Sequence, residues 1–276
     1  MSEAHASSEL TKRVRTAIPL AVGIALILLA PTFIVGMVVL ILAFIGGQEL
    51  TVMLAGKGND SDSSVILPDW MLPFAAVMMG LGALGGESGL HATLLISAAG
   101  WIIFELVFTP KNELSKFSSL GFGLFGMVWI IWSLGHMTLI KDLQDGTTLL
   151  FFLLFVISFS DIFAYFGGKR FGKSLLAPAI SPKKTWEGCF FGVVGGGLVG
   201  AVFGEITMSM FWVNAMLLAV ILSVFGQFGD LIESKIKRLC NVKDSGKILP
   251  GHGGILDRID GHMFAAPVFY YLLKLG

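Results

Sequence analysis

The chain has 276 residues, of which 55% are hydrophobic and only 14% are charged. A typical soluble domain carries roughly 25% charged residues, so this composition excludes an ordinary water-soluble enzyme and also a disordered chain. The 19 basic and 19 acidic side chains cancel, so the net charge gives no indication of a partner, and no nucleic-acid partner is expected.

Apolar segments follow one another along most of the chain. A helix needs roughly 20 apolar residues to cross the hydrocarbon core of a bilayer. The sequence predicts such segments near 16–30, 32–54, 69–86, 90–108, 119–140, 148–167, 189–208 and 211–230, with a shorter apolar stretch at 263–275. The predicted fold is therefore all-α, a polytopic membrane protein of eight or nine helices. The basic start also suits a signal peptide, but the second apolar segment follows the first at once.

The basic residues divide unequally between the two ends of these predicted helices. If the N-terminus is cytoplasmic and the segments alternate, all 19 Lys and Arg residues except Lys141 and Lys274 fall on the inner side. The positive-inside rule predicts this distribution. We therefore expect an integral protein of a bacterial plasma membrane, with N-terminal helices over 1–147 and a catalytic region over 148–276. The two large polar loops of that region, 167–188 and 231–262, would face the cytoplasm.

Ionisable residues at membrane depth are costly, so each is a candidate functional residue. Glu49 and Glu105 lie near the cytoplasmic ends of predicted segments, where their carboxylates can also simply reach water. His91 and His136 lie near predicted outer ends, where an interfacial or hydrogen-bonded histidine is the simpler interpretation. Asp161, Asp230 and Glu233 belong to the C-terminal half, where the polar residues concentrate.

A stripe of glycines marks one of the later segments. Its members recur every four residues and are Gly188, Gly192, Gly196, Gly200 and Gly204. Such a stripe lets a neighbouring helix approach closely in a membrane. We expect tight helix packing here, either within the chain or between the subunits of a homodimer.

The end of the segment at 211–230 predicts an ionisable helix face. On a continuing helix, five polar residues share one side, and they are Asp230, Glu233, Ser234, Lys237 and Arg238. A solvated amphipathic face would give the same pattern. The loop that follows adds further charges and glycines, namely Lys243, Asp244, Lys247, Gly251, Gly253, Gly254, Asp257, Arg258 and Asp260. Carboxylates that hold Mg²⁺, cations that neutralise phosphates and glycines that let the backbone approach are the elements of a phosphate-handling site.

The stretch from Ser234 to Asp260 resembles the signature of the phosphatidate cytidylyltransferases (CDP-diacylglycerol synthases) at every specified position of that pattern. A second, upstream block of the family is also similar, with Asp161 followed by Gly168-Lys169 and by Ser181-Pro182-Lys183-Lys184. The family often has a small hydroxyl residue and glycine after this aspartate. Here Ile162 and Phe163 follow it, so the packing around Asp161 would differ.

The resemblance implies an enzyme that uses CTP and phosphatidic acid at the bilayer surface, with Mg²⁺, to form CDP-diacylglycerol and pyrophosphate. It implies that Asp230 and Asp257 bind the metal, with Asp260 and Asp161 as the next candidates. The other residues implied in catalysis are Lys237, Arg238, Asp260 and His252, the last either a general acid or a residue of a turn. The residues implied in substrate binding are Asp161, Ser181, Lys183, Lys184, Ser234, Lys243, Asp244 and Arg258.

Three other kinds of protein compete with this interpretation. A transporter would place its charges near the bilayer midplane and would commonly show repeated halves, whereas here the charges gather at one end. A related membrane enzyme, either a CTP-dependent lipid kinase or a cytidylyltransferase for another lipid phosphate, would use the same parts. An inactive scaffold would not need the intact set of polar residues.

Overall fold

The computed structural model describes residues 22–55, 67–109, 113–248 and 253–275. These ranges are almost entirely helical, which confirms the predicted all-α membrane fold. The helices are α1 (22–29), α2 (Thr32–Ala55), α3 (Met71–Leu84), α4 (Gly86–Phe108), α5 (Glu113–Gly126), α6 (Ser133–Asp142), α7 (Gly146–Phe171), α8 (Trp186–Thr207), α9 (Trp212–Leu239) and α10 (Leu256–Leu275). A π-helical segment, Met127–Trp132, joins α5 to α6, and an antiparallel hairpin of β1 (Leu175–Ala177) and β2 (Ser181–Thr185) joins α7 to α8.

Six helical stretches among the described residues are long and apolar enough to cross a membrane. They are Thr32–Ala55, Gly86–Phe108, Ser115–Asp142, Gly146–Phe171, Trp186–Thr207 and Trp212–Leu239. The predicted number of eight or nine crossings is not confirmed. The first predicted segment lies mostly outside the described residues, and the segment predicted at 69–86 forms the 14-residue helix α3, which is shorter than a crossing.

The last helix begins earlier than the apolar stretch at 263–275 predicts. Helix α10 has 20 residues and starts at Leu256, so its first two turns carry Asp257, Arg258 and Asp260. These charges hide its beginning from a hydropathy pattern. Helix α9 likewise continues to Leu239, as the spacing of its polar residues predicts, so the connection between α9 and α10 is shorter than the predicted loop 231–262.

Helix α8 packs between α7 and α9 through the glycine stripe, and all five glycines are buried. A methyl group at Gly192 would lie 2.6 Å from Nε2 of Gln227 in α9 and 2.9 Å from Cβ of Ala164 in α7. A methyl group at Gly200 would collide with Ala219 of α9. The predicted tight packing is confirmed, and the stripe serves a contact within the chain, which brings α7, α8 and α9 close together beside the site.

Candidate active site

The polar face of α9 points towards the first turns of α10. Glu233 is only 1% exposed, and its Oε2 accepts a hydrogen bond from Lys237 Nζ, one helical turn further on, at 2.6 Å. The same Nζ donates to Oδ1 of Asp257 in α10, also at 2.6 Å. Lys237 therefore joins the two helices through two carboxylates, in a setting where a cation offsets the cost of burying them.

Asp257 is held by backbone as well as by Lys237. Its Oδ2 accepts hydrogen bonds from the N–H groups of Gly254 at 2.8 Å and Ser245 at 2.9 Å, and it lies 3.1 Å from Ser245 Oγ. Burial raises the pKa of the Asp257 carboxyl, but Lys237 and the two N–H donors outweigh this effect, and the pKa lies below its ordinary value. Asp257 is thus an ionised side chain with protein donors on both oxygens.

Three other carboxylates come together where α9 meets α10. Asp230, Glu233 and Asp260 each place one oxygen within 4.8 Å of the others. The two helices approach closely there because Gly229 and Gly261 have no side chains. A side chain at Gly229 would collide with the carbonyl of Asp260, and a methyl group at Gly261 would lie 3.2 Å from the carbonyl oxygen of Gly226. We call Asp230, Glu233 and Asp260 the acidic cluster.

The carboxylates of the acidic cluster oppose one another's charge. Burial, and then the charges of Asp230 and Glu233, raise the pKa of Asp260 well above its ordinary value. The Oε1 atom of Glu233 is buried and has no hydrogen-bond partner among the described residues. A buried, unpaired carboxylate oxygen is costly, and three convergent carboxylates are the hard oxygen donors that a divalent cation prefers. The donor set of the acidic cluster therefore fits Mg²⁺.

The acidic cluster contains only one of the two metal ligands expected from the sequence, Asp230 and Asp257. Asp230 belongs to the acidic cluster, and so does Asp260, whereas Asp257 lies on the far side of Lys237 from Glu233. The assignment of a metal to Asp230 and Asp257 stays a prediction. The geometry adds Glu233, which the predicted ligand set did not include.

A cavity of about 500 Å³ opens beside the acidic cluster, between α7, α8, α9 and the hairpin. Its polar lining comes from Asp161, Lys169, Lys183, Lys184, Thr185, Gln227 and Asp230. Lys184 forms an ion pair with Asp230, so one carboxylate belongs both to the cavity wall and to the acidic cluster. The cavity thus combines lysines that suit phosphate oxygens with access to the carboxylates.

The hairpin that carries Lys183 and Lys184 is fixed at its base and at its turn. The hydroxyl of Thr185 accepts a hydrogen bond from the N–H of Gly188 at 3.1 Å and so caps α8. At the turn, Arg238 Nε donates to the carbonyl of Ile180 at 3.2 Å, and another guanidinium nitrogen of Arg238 donates to the carbonyl of Val242 at 3.2 Å. Arg238, which the resemblance implies in catalysis, thus anchors the hairpin to α9 in this conformation.

The remaining predicted residues differ in their exposure and in their contacts with the acidic cluster. Ser234 Oγ donates to Oδ1 of Asp230 at 3.4 Å, and Ser181 begins β2, half-buried. Lys243 and Asp244 are exposed in the connection between α9 and α10, and Arg258 is exposed in the first turn of α10. His252 lies outside the described residues, so its role stays a prediction.

Two acids of the N-terminal half do not reach water as the sequence allowed. Glu49 is 6% exposed, and Glu105 is fully buried with its Oε2 accepting a hydrogen bond from Thr109 Oγ1 at 3.0 Å. The histidines agree with the simpler interpretation, because His91 Nε2 lies 3.0 Å from the Tyr271 hydroxyl and His136 Nδ1 lies 2.9 Å from the carbonyl oxygen of Trp132.

Glu49 reaches the candidate site, which the sequence did not predict. Its carboxylate accepts hydrogen bonds from the N–H groups of Ile255 and Leu256, where α10 begins. The only signal in the sequence is a carboxylate inside an apolar segment with no cation nearby. That signal marks Glu49 as unusual but does not identify its partners, which lie about two hundred residues further along the chain.

Comparison with known proteins gives one family and several bacterial relatives. The profile of the cytidylyltransferase family matches residues 11–276. The phosphatidate cytidylyltransferase of Bacillus subtilis (strain 168) is 43% identical over 167 residues, which are 60% of this chain and 62% of that protein. The phosphatidate cytidylyltransferase of Staphylococcus saprophyticus is 34% identical over 267 residues, 91% of this chain and 95% of that protein. Escherichia coli (strain K12) has an uncharacterized protein, YnbB, that is 30% identical over 278 residues, covering 96% of this chain and 88% of YnbB.

Proposed function

The chain belongs to the cytidylyltransferase family, and from this membership we propose that it transfers the cytidylyl group of CTP to phosphatidic acid. The products are CDP-diacylglycerol, a precursor for phospholipid biosynthesis, and pyrophosphate. The names of the relatives from Bacillus subtilis and Staphylococcus saprophyticus support this substrate pair. One structural observation carries the proposal, namely that Asp230 belongs both to the acidic cluster and to the lysine-lined cavity.

The reaction needs no nucleophile from the protein, because phosphatidic acid brings its own phosphate oxygen. This oxygen forms a new bond to the α-phosphorus of CTP, the bond from that phosphorus to the oxygen bridging to the β-phosphorus breaks, and pyrophosphate leaves with the electron pair. The protein contributes position and charge neutralisation, since two anions must approach each other. Lys169, Lys183 and Lys184 line the cavity and would bind phosphate oxygens there.

The acidic cluster would hold the Mg²⁺ that this reaction uses. Asp230, Glu233 and Asp260 are the residues that would hold it. When bound, Mg²⁺ neutralises phosphate charge and helps to orient the reacting groups. Lys184 pairs with Asp230 and lines the cavity, so it would bind a CTP phosphate beside the acidic cluster.

The membrane setting fits a reaction between a lipid and a cytosolic nucleotide. We propose that the protein lies in the bacterial inner membrane with its N-terminus and active site on the cytoplasmic side. The excess of lysine and arginine at that end of the helices supports this orientation. Because Asp230 lies where the apolar part of α9 gives way to its polar face, a lipid headgroup at the interface and CTP from the cytosol can both reach it.

A lipid panel tests the proposed function. The purified protein in detergent would be incubated with Mg²⁺, with CTP radiolabelled at either its α- or its γ-phosphorus, and with one of phosphatidic acid, other lipid phosphates or diacylglycerol. We expect labelled CDP-diacylglycerol with phosphatidic acid alone, and no such product from the Asp260→Asn variant. Phosphorylation of diacylglycerol would identify a CTP-dependent lipid kinase, and product from another lipid phosphate alone would identify a different cytidylyltransferase. Either result would contradict the proposal.

A further inference from the structure

Glu49 connects the N-terminal helices to the start of α10, beside the candidate active site. It lies on α2, which belongs to the half of the chain without a distinctive motif, and it is 6% exposed. Its Oε1 accepts a hydrogen bond from the N–H of Ile255 at 2.9 Å, and its Oε2 accepts one from the N–H of Leu256 at 3.0 Å. These N–H groups begin α10 and have no acceptor within their own helix, so Glu49 fixes where this helix starts.

Ser245 extends this contact to Asp257. The Oγ atom of Ser245 lies 3.0 Å from Oε2 of Glu49 and 3.1 Å from Oδ2 of Asp257, so one hydroxyl bridges the two carboxylates. Ser245 is itself 5% exposed, and its N–H donates to Asp257. The backbone comes this close because Gly246 and Gly254 have no side chain, and any side chain at either position would collide with the Glu49 carboxylate.

From Asp257 the contacts continue to the acidic cluster. Asp257 binds Lys237, and Lys237 binds Glu233, which is one of the three clustered carboxylates. We propose that Glu49 is a positioning residue that holds Asp257, and through Lys237 also Glu233, in the geometry that the acidic cluster needs. Its effect on turnover rests on the proposed function, whereas its effect on cation binding depends only on the acidic cluster.

The proposal requires the full carboxylate of Glu49. Each of its oxygens faces a backbone N–H, and Oε2 also faces a hydroxyl. The amide of a glutamine has nearly the same shape, but it offers one oxygen and one NH₂ group. In either orientation the NH₂ group would face a backbone donor, which leaves that buried donor unsatisfied. The Glu49→Gln variant therefore disturbs the start of α10 while changing little volume.

The test compares Glu49→Gln with Glu49→Asp and with a matched control, Glu105→Gln. Like Glu49, Glu105 is a buried acid on a membrane-spanning helix, but its carboxylate accepts a hydrogen bond from Thr109 at the end of its own helix. Binding of Mn²⁺, used as a spectroscopic substitute for Mg²⁺, is followed by electron paramagnetic resonance of the detergent-solubilised proteins. We expect Glu49→Gln to weaken Mn²⁺ binding by about 10-fold, within the range found when residues behind metal ligands are changed. Glu49→Asp should retain part of the affinity, and Glu105→Gln should bind as the unaltered protein does.

Kinetic measurements on the same variants separate positioning from a general structural role. Glu49→Gln should raise the Mg²⁺ concentration for half-maximal turnover and lower kcat, while the KM for phosphatidic acid stays unchanged. Equal loss of Mn²⁺ affinity in Glu49→Gln and Glu105→Gln, or no loss in Glu49→Gln, would overturn the proposal. If Glu49→Gln does not fold, Glu49→Asp is subject to the same criteria. Absence of turnover in the unaltered protein with every lipid phosphate would refute the proposed function alone, because the Mn²⁺ measurement does not depend on it.

Discussion

Lys237 lies between Glu233 and Asp257, with its Nζ 2.6 Å from a carboxylate oxygen of each. Glu233 belongs to the acidic cluster, and Asp257 is held by the backbone of the segment that leads into α10. One cation therefore links a carboxylate of the acidic cluster to a carboxylate in the first turn of α10. This relationship makes stability and activity depend on the same side chain.

Replacement of Lys237 by methionine should reduce both stability and turnover. The variant leaves two buried carboxylates without their shared cation, and removing one partner from a buried pair costs about 3 kcal/mol or more. Thermal unfolding in detergent should show a clear loss of stability relative to Lys235→Met, an exposed lysine on the same helix. Equal melting temperatures for the two variants would contradict the central position of Lys237.

Substitution of Asp260 by asparagine should abolish turnover but leave the protein folded. Asp260 belongs to the acidic cluster and would be a direct metal ligand. Replacement of a residue that only supports a ligand costs up to about 100-fold in activity, so loss of a ligand itself should reduce turnover by more than that. Because burial and two neighbouring carboxylates oppose its charge, the neutral amide should maintain or raise the melting temperature. The exposed Asp142 on α6 provides the control, and similar turnover in Asp142→Asn and Asp260→Asn would count against the site.

Removal of the Lys184 side chain should weaken CTP binding. Lys184 lines the cavity and pairs with Asp230, so Lys184→Ala removes a cation from the proposed phosphate site. A charge-assisted hydrogen bond contributes roughly 1.5–3 kcal/mol, so we expect the KM for CTP to rise by about 10-fold. Lys235→Ala, at an exposed position outside the cavity lining, should keep the normal KM. A normal KM in Lys184→Ala as well would exclude Lys184 from CTP binding.

Enlargement of Gly192 should loosen the contact of α8 with its neighbours. A methyl group there would lie 2.6 Å from Gln227 Nε2 and 2.9 Å from Ala164 Cβ, too close without a shift of the helices. Overpacking of this kind costs about 1–3 kcal/mol, so Gly192→Ala should melt at a lower temperature. Gly100→Ala is the control, since a methyl group at Gly100 meets no atom within 4 Å and favours the helix. A melting temperature for Gly192→Ala at or above that of Gly100→Ala would contradict the packing described.

The sequence predicted those features that depend on local periodicity. Asp230, Glu233 and Lys237 share one face because α9 continues through them, and the glycines of α8 recur on the face that meets α7 and α9. The start of α10 was missed because Asp257 and Asp260 interrupt its hydropathy. The contacts of Glu49 with Ile255 and Leu256 could not be predicted, because hydropathy and spacing do not determine which distant segments meet in the folded chain.

Cation binding in the presence of CTP tests the acidic cluster most directly. Mn²⁺ binding to the unaltered protein would be measured by electron paramagnetic resonance with a CTP analogue whose α–β bridge resists cleavage. The same measurement would be made on Asp230→Asn, on Asp260→Asn and on a control, Asp142→Asn, at an exposed position on α6. We predict tight binding that both cluster variants lose and Asp142→Asn retains, with phosphorus coupling from the analogue to the bound Mn²⁺. Undiminished binding in Asp230→Asn and Asp260→Asn would contradict the placement of the metal at these residues.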